Sequence, residues 1–375
     1  YIDNTKIEVA FVSTNSITQG EQVAILWKDI LENGVYINFA YRTFRWDSEA
    51  SLKAHVHCVI IGFSFLERKE KHLYENDNVK KAKNINPYLI DAPNVYITSR
   101  NTPICNVPTI GIGNKPIDDG NYLFTEEEKE EFIKKEPQSE KWFKKWLGAQ
   151  EFINGKKRYC LFVKNCSPNE LRKMPEVIKR IENVKKFRLN SKSPGTIKLA
   201  EAPLNFHVEN IPEDSYLLIP RVSSERRRYI PIGYITADTM CSDSVHITTE
   251  ATLYDFGILT SNVHMAWTRV VCGRLKSDYR YSKDIVYNNF PWCNPTDEQK
   301  KKIEKTAQAI LDARALYPNS SLADLYDELT MPKELRKAHQ ENDKAVMEAY
   351  GFNWRKMTEA DCVAELMKMY QKITE

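Results

Sequence analysis

The stretch whose side chains could do the most definite chemistry is Gly273-Arg274-Leu275-Lys276-Ser277-Asp278-Tyr279-Arg280-Tyr281-Ser282. Lys276 is a long donor, and Asp278 is an acceptor two residues later. In an extended loop both side chains point to the same side. A lysine can donate to guanine O6 and N7 in the major groove, and an aspartate can accept from the N4 amino group of cytosine. The pair therefore has the chemistry to read one G·C pair. It equally suits an exposed ion pair of little energetic weight. Residues 221–228 read R-V-S-S-E-R-R-R, and residues 269–283 hold Arg269, Arg274, Lys276, Arg280 and Lys283 against Asp278. Basic stretches beside aromatic residues can mark a nucleic-acid surface, and can also be a solvated face.

Other patterns carry less. Gly111-Ile112-Gly113 lacks the third glycine of a nucleotide loop, and Pro116 follows, so a plain turn is expected. Asn86-Pro87-Tyr88 is one proline short of the N-P-P-Y of amino-methyltransferases, and also reads as a turn. His55 and His57 flank a strand and read as structural; no Ser/His/Asp set or nuclease-like acidic run stands out. The eight cysteines contain no C-x-x-C pair, which argues against zinc and for reduced thiols in a cytoplasmic protein. Tyr1 to Lys6 shows no signal peptide, and no apolar run nears the roughly 18 residues of a membrane helix. The net charge of +3 is too small to name a partner by itself, while 42% hydrophobic residues supply a globular core.

The elements that must position these residues follow from periodicity. Residues 8–17 begin as a buried strand. Residues 20–33 carry Val23, Leu26, Trp27 and Ile30 at helical spacing, with Gly34 as a stop. Strands are expected over 35–41 and 56–65. Together these make a fragment of an α/β sheet, too small to be a whole domain, so a preceding part is expected. Residues 66–100 read as a charged connector. Thr125 with Glu128, Ser167 with Glu170, and Thr296 with Gln299 are capping boxes. A basic helix follows the second box, with Lys179, Arg180, Lys185, Lys186 and Arg188 and a break near Pro175. Short strands are expected from 216 to 259, then a helix capped by Ser261 and closed at Gly273. Residues after 295 read as four helices.

Six long motifs give the chain a family likeness: F-V-S-T-N-S-I-T-Q-G-E-Q-V (11–23), F-A-Y-R-T-F-R-W (39–46) with V-H-C-V-I-I-G-F (56–63), N-I-N-P-Y-L-I-D-A-P (84–93), P-R-V-S-S-E-R-R-R-Y-I-P-I-G (220–233), G-R-L-K-S-D-Y-R-Y-S (273–282) and Y-N-N-F-P-W (287–292). The sequence resembles the C-terminal part of the MmeI-like, type IIL restriction-modification enzymes. The resemblance implies an α+β chain. Residues 1–65 would be the closing strands of a Rossmann-like adenine-N6 DNA methyltransferase sheet, 66–294 a mixed α/β target-recognition domain, and 295–375 a helical C-terminal domain. It implies double-stranded DNA as partner, along with the rest of the methyltransferase domain. S-adenosylmethionine would be the cofactor of the intact parent, and not of this chain, which lacks the glycine-rich and N-P-P-[FY] motifs and is expected to be inactive alone.

By the same resemblance, Lys276 and Asp278 read the base pair beside the methylated adenine. A lysine–aspartate pair there goes with guanine, and glutamate–arginine with cytosine. Ser277, Arg280, Asp243 and Ser244 are further base-reading candidates. Arg221, Arg226, Arg227, Arg228 and Lys185 are candidates for phosphate contacts. Phe44 and Trp46 are candidates for stacking on the extruded adenine, or else fill the core. A specificity subunit acting in trans and an RNA-modifying methyltransferase are the competing readings.

Overall fold

The structure is a computed structural model that describes residues 5–47 and 55–375; Tyr1 to Asn4, within the segment read for a signal peptide, lie outside it. The chain opens with strand β1 (Val9–Thr14), helix α1 (Gln22–Glu32), strand β2 (Tyr36–Asp47) and strand β3 (His55–Ser64). Val23 and Trp27, four apart on α1, are buried on the sheet, and the Trp27 indole donates to the Ile17 carbonyl at 2.8 Å. Gly34 ends the helix region at φ +88°, where a side chain would be strained. The apolar run of β3 places it between β1 and β2, antiparallel to both.

The expected connector after residue 65 is partly sheet. Strand β4 (Lys71–Glu75) pairs parallel with β2, and β5 (Asn78–Ala82) returns antiparallel, giving the order β1-β3-β2-β4-β5. The expected boundary at 65 thus falls inside the sheet. The charged look of this segment hid an alternation: Lys71 and Leu73 are buried, and the Lys71 ammonium reaches Glu67 at 2.9 Å. The two-residue turn between β4 and β5 holds Asn76 at φ +51°, a conformation asparagine tolerates.

Beyond the sheet, Gly111–Ile112 is a short strand rather than the expected turn, at the edge of a four-stranded sheet with Val245–Thr248, Tyr216–Pro220 and Gly233–Ile235. Gly113 follows because a Cβ there would lie 2.3 Å from the Ser242 carbonyl oxygen. Residues 123–206 form a side lobe with apolar clusters of its own. There the Ser167 box caps a single turn, Pro168–Leu171, and Pro175 is the first residue of the basic helix Pro175–Leu189, not a break in it. After residue 295 come the helices Asp297–Ala315, Leu322–Leu325, Lys333–Ala349 and Glu359–Thr374. One continuous core joins Val23 and Ile61 of the first sheet, Leu217 and Trp267 of the middle region, and Ile303, Leu335 and Leu366 of the last helices.

Candidate nucleic-acid interface

Lys276 and Asp278 sit on a tight hairpin, not on an extended loop. Strands Gly273–Leu275 and Asp278–Arg280 pair with Leu275 opposite Asp278, so Lys276 and Ser277 form a two-residue turn. Lys276 has φ +58°, a left-handed conformation usually taken by glycine. Val222–Ser223 adds a third strand against Asp278–Arg280. Tyr279 is buried, with the Arg274 guanidinium 4.0 Å from its ring centre. Alternation then turns Asp278 and Arg280 to the other face. Asp278 accepts from the Glu225 N–H at 3.3 Å, which ties the hairpin to the arginine-rich loop. Behind the hairpin, Tyr281 is buried; its hydroxyl meets His264 Nε2 at 2.9 Å and its N–H donates to the Arg221 carbonyl at 2.8 Å.

Lys276, Ser277 and Arg280 line one wall of a cleft of about 1020 Å³, together with Arg221 and Arg226. The facing wall comes from the first sheet: Thr14, Asn15, Ser16, Gln19 and Gln22 of the segment after β1, with Arg45 and His57, which are cross-strand partners. The motif at 11–23 marked this segment, but its polar residues were not singled out as contacts. The two walls touch at Gly20. Its N–H donates to the Val271 carbonyl at 3.0 Å, and a Cβ there would come within 3.3 Å of Gly273 Cα.

The other candidates lie apart from this surface. Arg227 is half-buried, its Nε has no hydrogen-bond partner, and burial lowers its pKa against the pull of Asp278 and Asp327. Arg228 lies 5.7 Å from the centre of the Tyr229 ring. Asp243 and Ser244 back up Arg221: the Asp243 carbonyl accepts from its guanidinium at 2.7 Å, and the Ser244 carbonyl accepts from its N–H at 3.1 Å. The Ser244 hydroxyl accepts from the Ala149 N–H at 2.9 Å, and Asp243 is 3.9 Å from the Lys115 ammonium. Phe44 and Trp46 alternate with Arg45 on β2 and so face away from the cleft wall. Their ring centres are 6.3 Å apart, and Trp46 is 52% exposed, so it does not fill the core. Lys185 is exposed on the basic helix, outside the cleft. Arg188 of that helix is fully buried and donates to five carbonyls, those of Pro116, Ile117, Leu199, Ala202 and Asn205.

Nothing near the cleft is set up for acid–base or metal chemistry. Burial pushes His246 down to about 4 and His264 to about 3, so both are neutral at physiological pH. Among the described residues no cluster could hold a metal ion, all cysteines are free, and no helix is long and apolar enough to cross a membrane.

Sequence profiles of three domains match in series: "MmeI, DNA-methyltransferase domain" over residues 1–75, "MmeI, target recognition domain" over 91–294 and "MmeI, C-terminal domain" over 295–375. The chain belongs to the MmeI family. The solved structure of the type IIL restriction-modification enzyme MmeI in complex with DNA aligns at a TM-score of 0.92 and 49% identity, over 99% of this chain and 50% of that one. DNA methyltransferase A of Bacillus subtilis (strain 168) is 42% identical over 378 residues, covering 100% of this chain and 42% of that protein. The chain therefore spans about half the length of its MmeI-family relatives, or somewhat less. The likeness read from the motifs is borne out, as are the mixed α and β classes and the helical C-terminal region.

Proposed function

We propose that this chain is the DNA-recognition part of an S-adenosylmethionine-dependent adenine-N6 methyltransferase of restriction-modification type, working in the cytoplasm. The carrying observation is the two-walled cleft, in which a donor–acceptor hairpin and arginines face the polar end of a methyltransferase sheet. Arg221 and Arg226 hold phosphates and set the register, which carries no sequence information itself. Lys276 and Asp278 read the base pair next to the target adenine, with Ser277 and Arg280 beside them. Phe44 and Trp46, exposed on the other face of β2, are available to the extruded base. The methyl donor belongs to the parent's methyltransferase domain; residues 1–75 carry neither its glycine-rich motif nor N-P-P-[FY]. The continuous core through all three regions favours a fused recognition part over a subunit acting in trans.

The test is sequencing of methylated sites in a host that expresses the intact parent. The expected site has guanine after the methylated adenine. Lys276→Glu with Asp278→Arg exchanges donor and acceptor and moves that position to cytosine, other positions unchanged. Any other base after the adenine, or a double variant that keeps guanine, removes the hairpin from the role of reader.

A further inference from the structure

Residues 226–228 are followed by Tyr229, and Tyr229 is not part of the recognition surface. It is buried, its ring stacks on His339 at 4.1 Å, and its hydroxyl donates to Asp343 Oδ2 at 2.6 Å. Both partners come from the helix Lys333–Ala349 of the C-terminal region. The other Asp343 oxygen accepts from the Asn262 N–H at 2.7 Å. Asn262 is the first residue of helix Asn262–Val271, and that helix runs directly into the reading hairpin at Gly273. Arg314 adds a further hold from the C-terminal region, donating to the Ile232 carbonyl at 2.6 Å.

We propose that Asp343 is a positioning residue for DNA recognition: one carboxylate oxygen holds the arginine loop through Tyr229, and the other holds the helix that carries the reading hairpin. The proposal rests on the reading of the cleft as the DNA interface. The chemistry explains why a carboxylate stands there. Two donors from two separate elements converge on it, and a carboxylate accepts from both. An asparagine of the same shape has one oxygen. Its amino group must face either the Asn262 N–H, which cannot reverse, or the Tyr229 hydroxyl, which can. Asp343→Asn thus turns the tyrosine hydroxyl around without removing bulk.

The carboxylate is also costly to bury. Burial raises Asp343 to about 6, against the Tyr229 and Asn262 hydrogen bonds and the Arg228 and Arg269 cations that favour its charge. His339, on the same helix, is held well below its ordinary value and stays neutral. Because the folded value lies above the ordinary one, the stability that this group contributes is full at low pH and is lost as pH rises through about 6. A residue selected only for stability would be better as the amide at neutral pH.

The experiment compares the chain with its Asp343→Asn and Tyr229→Phe variants. The probe is a duplex DNA that the parent chain selects from a randomised pool, and thermal unfolding is followed from pH 5 to pH 8. Each single variant is expected to bind that duplex about tenfold more weakly and with blurred base preference, and the double variant hardly worse than either. Between pH 5 and pH 8 the parent is expected to lose stability relative to Asp343→Asn, so weaker binding goes with undiminished stability near pH 8. Either variant binding as tightly and selectively as the parent overturns the proposal, and so does a fall in stability with binding unchanged. Should Asp343→Asn not fold, Tyr229→Phe decides by the same criterion. A parent that selects no sequence refutes the reading of the cleft itself, before any variant is made.

Discussion

The basic helix Pro175–Leu189 and the arginine-rich segment 221–228 look alike as strings of letters, and they end in opposite surroundings. In the helix, Val177, Val184 and Arg188 share the buried face, and the Arg188 guanidinium is enclosed by main-chain carbonyls. In the segment, Arg221 and Arg226 look into the cleft, while Arg227 and Arg228 turn back toward the protein. The contrast teaches that positive charge in a sequence does not locate a DNA surface. A guanidinium has five N–H donors, and it serves as well to gather loose carbonyls as to bind phosphate. What distinguishes the two is whether the backbone around the arginine has already satisfied its own hydrogen bonds.

The largest expected effect tests the buried side of the contrast. Arg188→Ala leaves five carbonyls short of a donor, and it should lower the unfolding free energy by about 3–5 kcal/mol in urea titration, with base preference unchanged in whatever remains folded. A variant of full stability that no longer binds DNA would make Arg188 a contact and dissolve the contrast. A smaller effect sharpens the exposed side. Lys276→Glu alone mismatches one base contact and should weaken binding to the parent's site by about 1–3 kcal/mol. Thermal stability should hold, because the side chain is exposed; an equal loss on every sequence would point to bulk charge instead of reading. The smallest effect divides the arginines from the lysine. Arg226→Ala should lower the log–log salt slope of DNA binding by about one unit, with Lys185→Ala leaving it in place. Equal slopes for the two variants would return the basic helix to the interface.

The sequence carried most of what local chemistry decides. The capping boxes at Thr125, Ser167 and Thr296 all form, because each satisfies helix-end N–H groups within three residues. The C-terminal helices follow from apolar spacing. What escaped reading depends on distant partners. The β4–β5 pair joins the sheet through parallel pairing with β2, which no local signal announces. The turn at Lys276 lacks the glycine or asparagine that would have marked it, so the reading residues looked extended. Gly111–Ile112 is a strand only because Val245–Thr248 lies beside it. Arg188 was within reach: Val177, Ile181, Val184 and Arg188 recur at helical spacing, but its charge outweighed its place. Asp343 was not, since an aspartate in a charged helix looks solvated until Tyr229 and Asn262 arrive from elsewhere.

The contact at Gly20 makes the molecule a ruler. Successive bases on one strand are about 3.4 Å apart, so a slip of that size between the two walls would set the reader over the neighbouring pair. The 3.0 Å hydrogen bond from Gly20 to Val271 would break within such a slip, and Gly20 already lies too close to Gly273 for a side chain to fit comfortably between them. The methyltransferase side and the reading side therefore share one zero mark. Exchanging Lys276 and Asp278 rewrites which letter is read, and the interval between that letter and the modified base stays where the glycines put it.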